Sequence, residues 1–393
     1  MRVLLNAMVP SHLLPMVPLT WALRAAGHEV VFFGHEDTVR AAHAAGLPTR
    51  QVESEAGSVS RWRPPGTVKS AYSAAGSSTK LPTAEEERTA AIGRRWKARL
   101  EVFVDEYVAF AKAWRPDVII TDPMEFSGLV VAGVLDVPGV VHRWGFDNLT
   151  STLVEPSKQA LAETCHRLGS AGVPDAALVI DPCPPTVQSP NLAPAQPVRF
   201  VPYNGTAAVP DWTVQPGTGL ICISFGVWGT ETLAKEGQLR AVVDSVGRAV
   251  AELAETEAVL VVPQQYHAEL GALPDRVVVV DQLPINHVMP RCALMIHHGG
   301  SGSALTSYAY GVPQLVVAQE GPMLIPTAER IADSGAGLAL ISEEDRRDTG
   351  LLTGAIIDLL KEPSYRQAAE RVRAEMLAQP APGEVAALVA NLA

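Results

Sequence analysis

HHGGSGSALTSYAYGVP, residues 297–313, follows directly on the apolar, strand-like run Ala293 to Ile296 and runs on into helical sequence. A strand that empties into a glycine-rich turn and then opens a helix forms a phosphate cradle. Gly299, Gly300 and Gly302 let backbone come close to an anion, while Ser301, Ser303 and the first-turn amides of the helix donate hydrogen bonds at its positive end. His297 adds a donor that can become cationic, which suits a diphosphate that gains charge as it departs. A lone Gly-x-Gly is more often an ordinary flexible turn. Here two adjacent histidines, three glycines and two hydroxyls coincide with the correct flanks, and the phosphate reading is preferred.

The same rhythm extends outward on both sides. The first 45 residues read as strand (Val3 to Met8), turn (Val9 to His12), helix (Leu13 to Ala26) and strand (Glu29 to Phe33), one βαβ unit. A Gly/Ser/Pro-rich region from Glu53 to Pro82, holding Trp62 and Tyr72, reads as a long surface loop. Helical sequence from Ala84 to Ala113 leads into a strand Asp117 to Thr121, a helix around Gly128 to Leu135 and a strand Gly139 to Arg143. Between Asp181 and Gly219 prolines crowd the chain (CPPTVQSPNLAPAQP, then VPDWTVQPGTG), disfavouring helix and sheet interior, and the domain linker is placed there. The rhythm then restarts with strand Leu220 to Ser224, helix Gln238 to Ala254, strands Ala258 to Val262 and Val277 to Val280, the cradle, and strand Gln314 to Val317. Two Rossmann-like halves in tandem are expected, with boundaries 1–205, linker 206–218, 219–375, and a C-terminal helix 376–393 packing back on the first half.

Composition bounds the possibilities. A chain of 393 residues exceeds one comfortable core, and domains of about 100 to 200 residues make two the natural count. A formal charge of -11 argues against nucleic acid or an anionic membrane surface as partner, so any diphosphate must be gripped locally. Cys165, Cys183, Cys222 and Cys292 form no Cys-x-x-Cys pair, which fits reduced thiols in a cytoplasmic protein. MRVLLNAMV reads as a first strand rather than a signal peptide, and the longest apolar stretch, Phe126 to Val141, is too broken by Asp136 and Pro138 to span a membrane.

With these features in place the chain resembles a GT-B glycosyltransferase of family 1, most of all the actinomycete enzymes that put deoxysugars on polyketide antibiotics. The resemblance runs through SHLLPMVPLTWALRAAGHEVVF, DVIITDPMEFSGLVVAGVLDVPGV, HHGGSGSALTSYAYGVPQLVVAQ, TAERIADSGAGLAL and LLKEPSYRQAAERVRAEMLAQPAPGEV. It implies an α/β fold of two doubly wound Rossmann-like domains facing across a cleft. It implies that His12 is the general base, a task suited to imidazole, with Asp122 after strand DVIIT orienting it. Asp147 is a second carboxylate available for that task or for the acceptor, and His142 and Trp144 shape the acceptor cavity. Trp62, Tyr72, Trp96, Phe126, Trp144 and Phe146 suggest a large apolar acceptor.

In the second half Ser224, Phe225 and Gly226 match the glycine turn that approaches the nucleotide diphosphate, with Val227 standing where relatives usually carry a hydroxyl. Gln282 and Leu283, leading to Pro284, occupy the segment that packs on the base. Counting back from Thr327 to Arg330 puts Met323 and Leu324 where many relatives carry an Asp-Gln pair for sugar hydroxyls. Such hydroxyls would be left unpaired at a cost of about 1 to 3 kcal/mol each, which favours a deoxysugar donor. Gln319 and Glu320 are further donor-sugar candidates.

The expected reaction is inverting transfer of a deoxysugar from a dTDP-sugar to a hydroxyl of a hydrophobic aglycone, with no cofactor and no metal, since no Asp-x-Asp pair is present. Transfer to a phenolic carbon is the nearest rival. A sugar-nucleotide epimerase and a non-catalytic partner stand further off, and a nicotinamide dehydrogenase lacks its Gly-x-Gly-x-x-Gly in MVPSHLLP. A homodimer or an auxiliary protein partner stays open.

Overall fold

The computed structural model describes residues 1–54, 85–208, 210–211, 219–235, 237–253, 256–319 and 323–393, with backbone alone at 85–90, 227, 228 and 235. Trp62, Tyr72 and Glu320 lie outside the described residues. The chain divides into two units. One is Met1–Cys183 with Ser189–Arg199 and Gln379–Ala393, and the other is Pro184–Gln188 with Phe200–Ala378.

The first unit is built on seven parallel strands: β1 (Arg2–Asn6), β2 (Glu29–Gly34), β3 (Thr49–Gln51), β4 (Val118–Thr121), β5 (Gly139–His142), β6 (Leu178–Asp181) and β7 (Gln196–Pro197), in the order β3-β2-β1-β4-β5-β6-β7. Every residue of β4, Val-Ile-Ile-Thr, is buried, as expected of a central parallel strand covered on both faces. The order reverses between β1 and β4, so the crevice above their carboxyl ends is the natural ligand position in a doubly wound sheet.

The segment after β1 differs from expectation. Instead of a turn to His12 and one helix from Leu13, the chain forms a short helix Pro10–Leu13, a 3-10 turn Leu14–Met16 and a helix Val17–Ala25, each with proline in its first positions. Proline lacks an amide that the first helical turn would leave unpaired anyway, so each one starts a segment where mid-helix it would break one. His12 therefore sits in helix, its amide donating to Val9 O at 3.0 Å.

The proline-rich stretch is also partly sheet. β7 is a two-residue edge strand ending on Pro197, a position where a missing donor is tolerated. Helix Pro382–Ala390 packs on helix Val17–Ala25 within this unit. No helix among the described residues is long and apolar enough to cross a membrane.

The second unit repeats the plan with β8 (Leu220–Ser224), β9 (Glu257–Val261), β10 (Val277–Val280), β11 (Cys292–His297), β12 (Gln314–Val317) and β13 (Gly337–Leu340), all parallel, in the order β10-β9-β8-β11-β12-β13. Alternate residues of β8 bury into opposite layers. Ile221 and Ile223 join Leu294, Ile296 and Leu315 in one core cluster, while Leu220 and Cys222 join Leu283, Met289 and Met295 in the other. Here the order reverses between β8 and β11, whose ends carry Ser224–Gly226 and the cradle.

Candidate functional site

In the first unit the short helix after β1 and the turn after β4 bring His12 and Asp122 together at the switch point. His12 Nδ1 lies 3.2 Å from Asp122 Oδ1, and the residues are only 2% and 1% exposed. Asp122 also accepts from the amides of Met8 (2.6 Å, Oδ2) and Met124 (2.8 Å, Oδ1). Burial alone would raise its pKa, but the facing His12 and the two amides outweigh that, and the carboxyl is held below its ordinary range. The turn carrying Asp122 is pinned at its far end too. Glu125 meets Arg99 at 2.8 Å and accepts from Ser127 Oγ at 2.7 Å, and Ser127 Oγ in turn receives Asn6 Nδ2 at 2.9 Å. With Nδ1 turned to a fixed carboxylate, the opposite nitrogen Nε2 is the one suited to take up a proton.

The described residues expected around an acceptor are buried, and Trp144, Asp147 and His142 each have partners of their own. Trp144 is 3% exposed and stacks on His12, ring centroids 4.1 Å apart and planes 13° from parallel. Asp147 is held by its own neighbourhood at the entry to helix Thr150–Leu168: its Oδ1 accepts from the amides of Leu149 (3.2 Å) and Thr150 (2.9 Å), its Oδ2 accepts from the Thr150 hydroxyl, and Arg143 Nε stands 3.8 Å from Oδ2. His142 is 1% exposed, its Nδ1 bonds to Arg143 O at 2.7 Å, and burial lowers its pKa to about 4. Trp96, Phe126 and Phe146 are buried in the core.

In the second unit β11 runs through a glycine turn into a helix, the strand–turn–helix order that the sequence suggests. Gly299 has φ +98°, a conformation that side chains rarely adopt, and a Cβ at Gly300 would stand 2.6 Å from His298 Nε2. Gly300 caps helix Ser301–Ala309, whose first internal bond runs from Ala304 N to Gly300 O at 3.1 Å. The amides of Ser301, Gly302 and Ser303 therefore precede the helical ladder and point out of its positive end. Gly226 opens a second helix, Gly226–Lys235, directly after Ser224 and Phe225.

The two adjacent histidines are placed differently, and the sequence assigns a role only to the first. His297 is fully buried, its Nε2 paired with Gln314 Oε1 at 2.9 Å and its Nδ1 accepting from Gly299 N at 3.1 Å. Burial, then the neighbouring His298, lowers its pKa to about 3. The expectation that His297 turns cationic beside a departing diphosphate is thus corrected: a neutral ring with both nitrogens engaged shapes the turn. His298 is the imidazole at the cradle. Its ring lies among Gly226, Gly229 and Gly300, its buried Nδ1 has no hydrogen-bond partner in the structure, and burial lowers its pKa to about 4. The double histidine was the only sequence signal for it, and the partner of the first, Gln314 on β12, was not foreseen.

Among the donor-sugar candidates, Gln319 is 6% exposed and donates from Nε2 to Gly229 O at 2.6 Å, joining the end of β12 to the second helix mouth. Leu324 opens helix Leu324–Asp333, and its carbonyl would lie 3.2 Å from a Cβ on Gly299, beside the cradle. Met323 precedes it and is half-buried. Gln282 is exposed after β10, while Leu283 turns inward to the core.

A doubly wound sheet used twice, with polar side chains gathered at each switch point, puts the chain in the GT-B class of nucleotide-sugar-dependent glycosyltransferases. Solved structures agree. The chain is 34% identical to the spinosyn rhamnosyltransferase SpnG complexed with thymidine diphosphate, over 100% of both chains with a TM-score of 0.81. It is 30% identical to the glycosyltransferase SnogD from Streptomyces nogalater, over 100% of this chain and 99% of that one, with a TM-score of 0.80. Among characterised relatives, the aclacinomycin-T 2-deoxy-L-fucose transferase of Streptomyces galilaeus is 31% identical, covering 97% of this chain and 93% of the relative. The family models for the N-terminal and C-terminal domains of erythromycin biosynthesis protein CIII-like proteins match residues 21–226 and 242–392, and the chain belongs to that family.

Proposed function

We propose that the protein transfers a deoxysugar from a thymidine-diphosphate sugar to a hydroxyl of a hydrophobic natural-product aglycone, with inversion at the anomeric carbon. The observation that carries the reading is the buried His12–Asp122 pair at the switch point of the first sheet. His12 Nε2 takes the acceptor's proton as the acceptor oxygen bonds to the anomeric carbon. The bond from that carbon to the diphosphate oxygen breaks on the opposite face, and its electron pair leaves with thymidine diphosphate. Asp122 stabilises the imidazolium.

The amides of residues 301–303 and the helix dipole receive the growing charge and supply the positive potential that a divalent cation would otherwise provide, with His298 beside them as a neutral ring able to donate a hydrogen bond. Support for the nucleotide comes from SpnG, solved with thymidine diphosphate, and from relatives named as deoxysugar transferases, including the TDP-daunosamine transferase DnrS of Streptomyces peucetius. Met323 and Leu324 beside the cradle favour a sugar with fewer hydroxyls.

Thymidine diphosphate is expected to raise the melting temperature more than uridine diphosphate at equal concentration. With a TDP-deoxysugar and an aromatic or macrolide aglycone, the product's anomeric configuration by NMR should be opposite to the donor's and the bond acid-labile. A retained configuration would overturn inversion. An acid-stable carbon–carbon link would favour the C-glycosyl rival.

A further inference from the structure

The stacking of Trp144 on His12 is not the geometry of an acceptor wall. An indole that is 3% exposed, with one face against imidazole, offers little surface to a substrate. Its place is set by the segment that carries it. Trp144 Nε1 donates to Phe146 O at 3.2 Å, and Asp147 accepts from the Thr150 amide at 2.9 Å at the entry to helix Thr150–Leu168. On the other side Arg143 is buried, bonded from Nη1 to Asp181 Oδ2 at 2.7 Å and from Nη2 to Ala193 O at 2.9 Å. The residues flanking Trp144 thus anchor its backbone, and the indole cannot turn without breaking its own bond to Phe146 O.

We propose that Trp144 is a positioning residue for His12: its face holds the imidazole in the plane that Asp122 requires and stabilises the imidazolium formed when the acceptor's proton arrives. The π-face of tryptophan attracts a cation within about 6 Å, and more strongly when both are removed from water. A neutral imidazole gains less from the same face, so the contact strengthens as the proton is transferred, which is the condition for it to accelerate the step. The two supports act on different parts of the ring, Asp122 at the Nδ1 edge and Trp144 on the flat. This inference rests on the reading of His12 as the base.

The test is a double-mutant cycle of Trp144→Leu and His12→Ala, with Trp144→Phe as the conservative variant, read as single-turnover product formation and acceptor KM. Trp144→Leu is expected to lower kcat about 10- to 50-fold with acceptor KM changed by less than about threefold, and Trp144→Phe to recover most of the loss. In the His12→Ala background the same Trp144→Leu change should cost less than about twofold, because the group it acts through is gone. An undiminished loss in that background, or a raised KM with unchanged kcat, overturns the inference while leaving the base intact. Full turnover by His12→Ala alone would overturn both. If Trp144→Leu fails to fold, Trp144→Met, which also lacks the aromatic face, takes its place in the cycle with the same expected and overturning results.

Discussion

The Asp122→Asn enzyme is expected to lose about 10²- to 10⁴-fold in kcat, the range in which a base with the wrong tautomer or orientation falls. Asp122 accepts on both oxygens, from Met8 N on one and from Met124 N on the other, where it also faces His12. An asparagine can match only half of this. With its carbonyl oxygen toward His12 and Met124, the amide NH₂ confronts the Met8 N–H. Flipped, it presents a donor to His12 Nδ1 and pushes the proton to Nε2, the nitrogen that must accept. Either way a buried donor is left unmatched, at about 1–3 kcal/mol, so urea denaturation should show a loss of stability of that order beside the loss of rate. A kcat within about threefold of wild type would remove Asp122 from the mechanism.

The second large effect is acid lability. His35, His142, His297 and His298 are each held neutral by burial, their pKa values lowered to about 3, about 4, about 3 and about 4, with Arg99 adding to the effect at His35 and His298 at His297. In the unfolded chain each binds a proton near pH 6.5. The folded values lie below the unfolded one, so the stabilisation is fully present above about pH 6.5 and is lost progressively as pH falls toward 4 and 3. At pH 5 each fully buried histidine of this kind costs about 2 kcal/mol relative to pH 7, and together they remove several kcal/mol from a total that is typically about 5–15. Asp122, with its lowered pKa, adds its own loss only below about pH 4. Urea unfolding at pH 7 and pH 5 should show this fall in stability with an unchanged denaturant slope. Equal stability at the two values would contradict the neutral burial of these rings.

The α/β alternation was readable in the chain because buried parallel strands are apolar, β-branched runs between turn signals. β8, β10 and β12 begin and end where their sequences suggested, at Leu220–Ser224, Val277–Val280 and Gln314–Val317. Other elements were hidden by competing signals. Helix Thr150–Leu168 carries Pro156 in its interior, and β7 ends on a proline at a sheet edge. The glycine turn at 299–302 and the histidine and aspartate after β1 and β4 were legible as residue types in a pattern. Which nitrogen faces what was not, since pairing such as His297 with Gln314, seventeen residues on, or Trp144 with His12 depends on strand order rather than on spacing.

The most direct measurement pairs turnover with nucleotide affinity in the His12→Ala enzyme. Turnover should fall by about 10²- to 10⁴-fold while calorimetry with thymidine diphosphate returns a Kd within about threefold of wild type, because the lost group moves a proton and does not grip the nucleotide. Undiminished turnover, or a turnover loss matched by an equal loss of thymidine diphosphate binding, would contradict the assignment of His12 as the base.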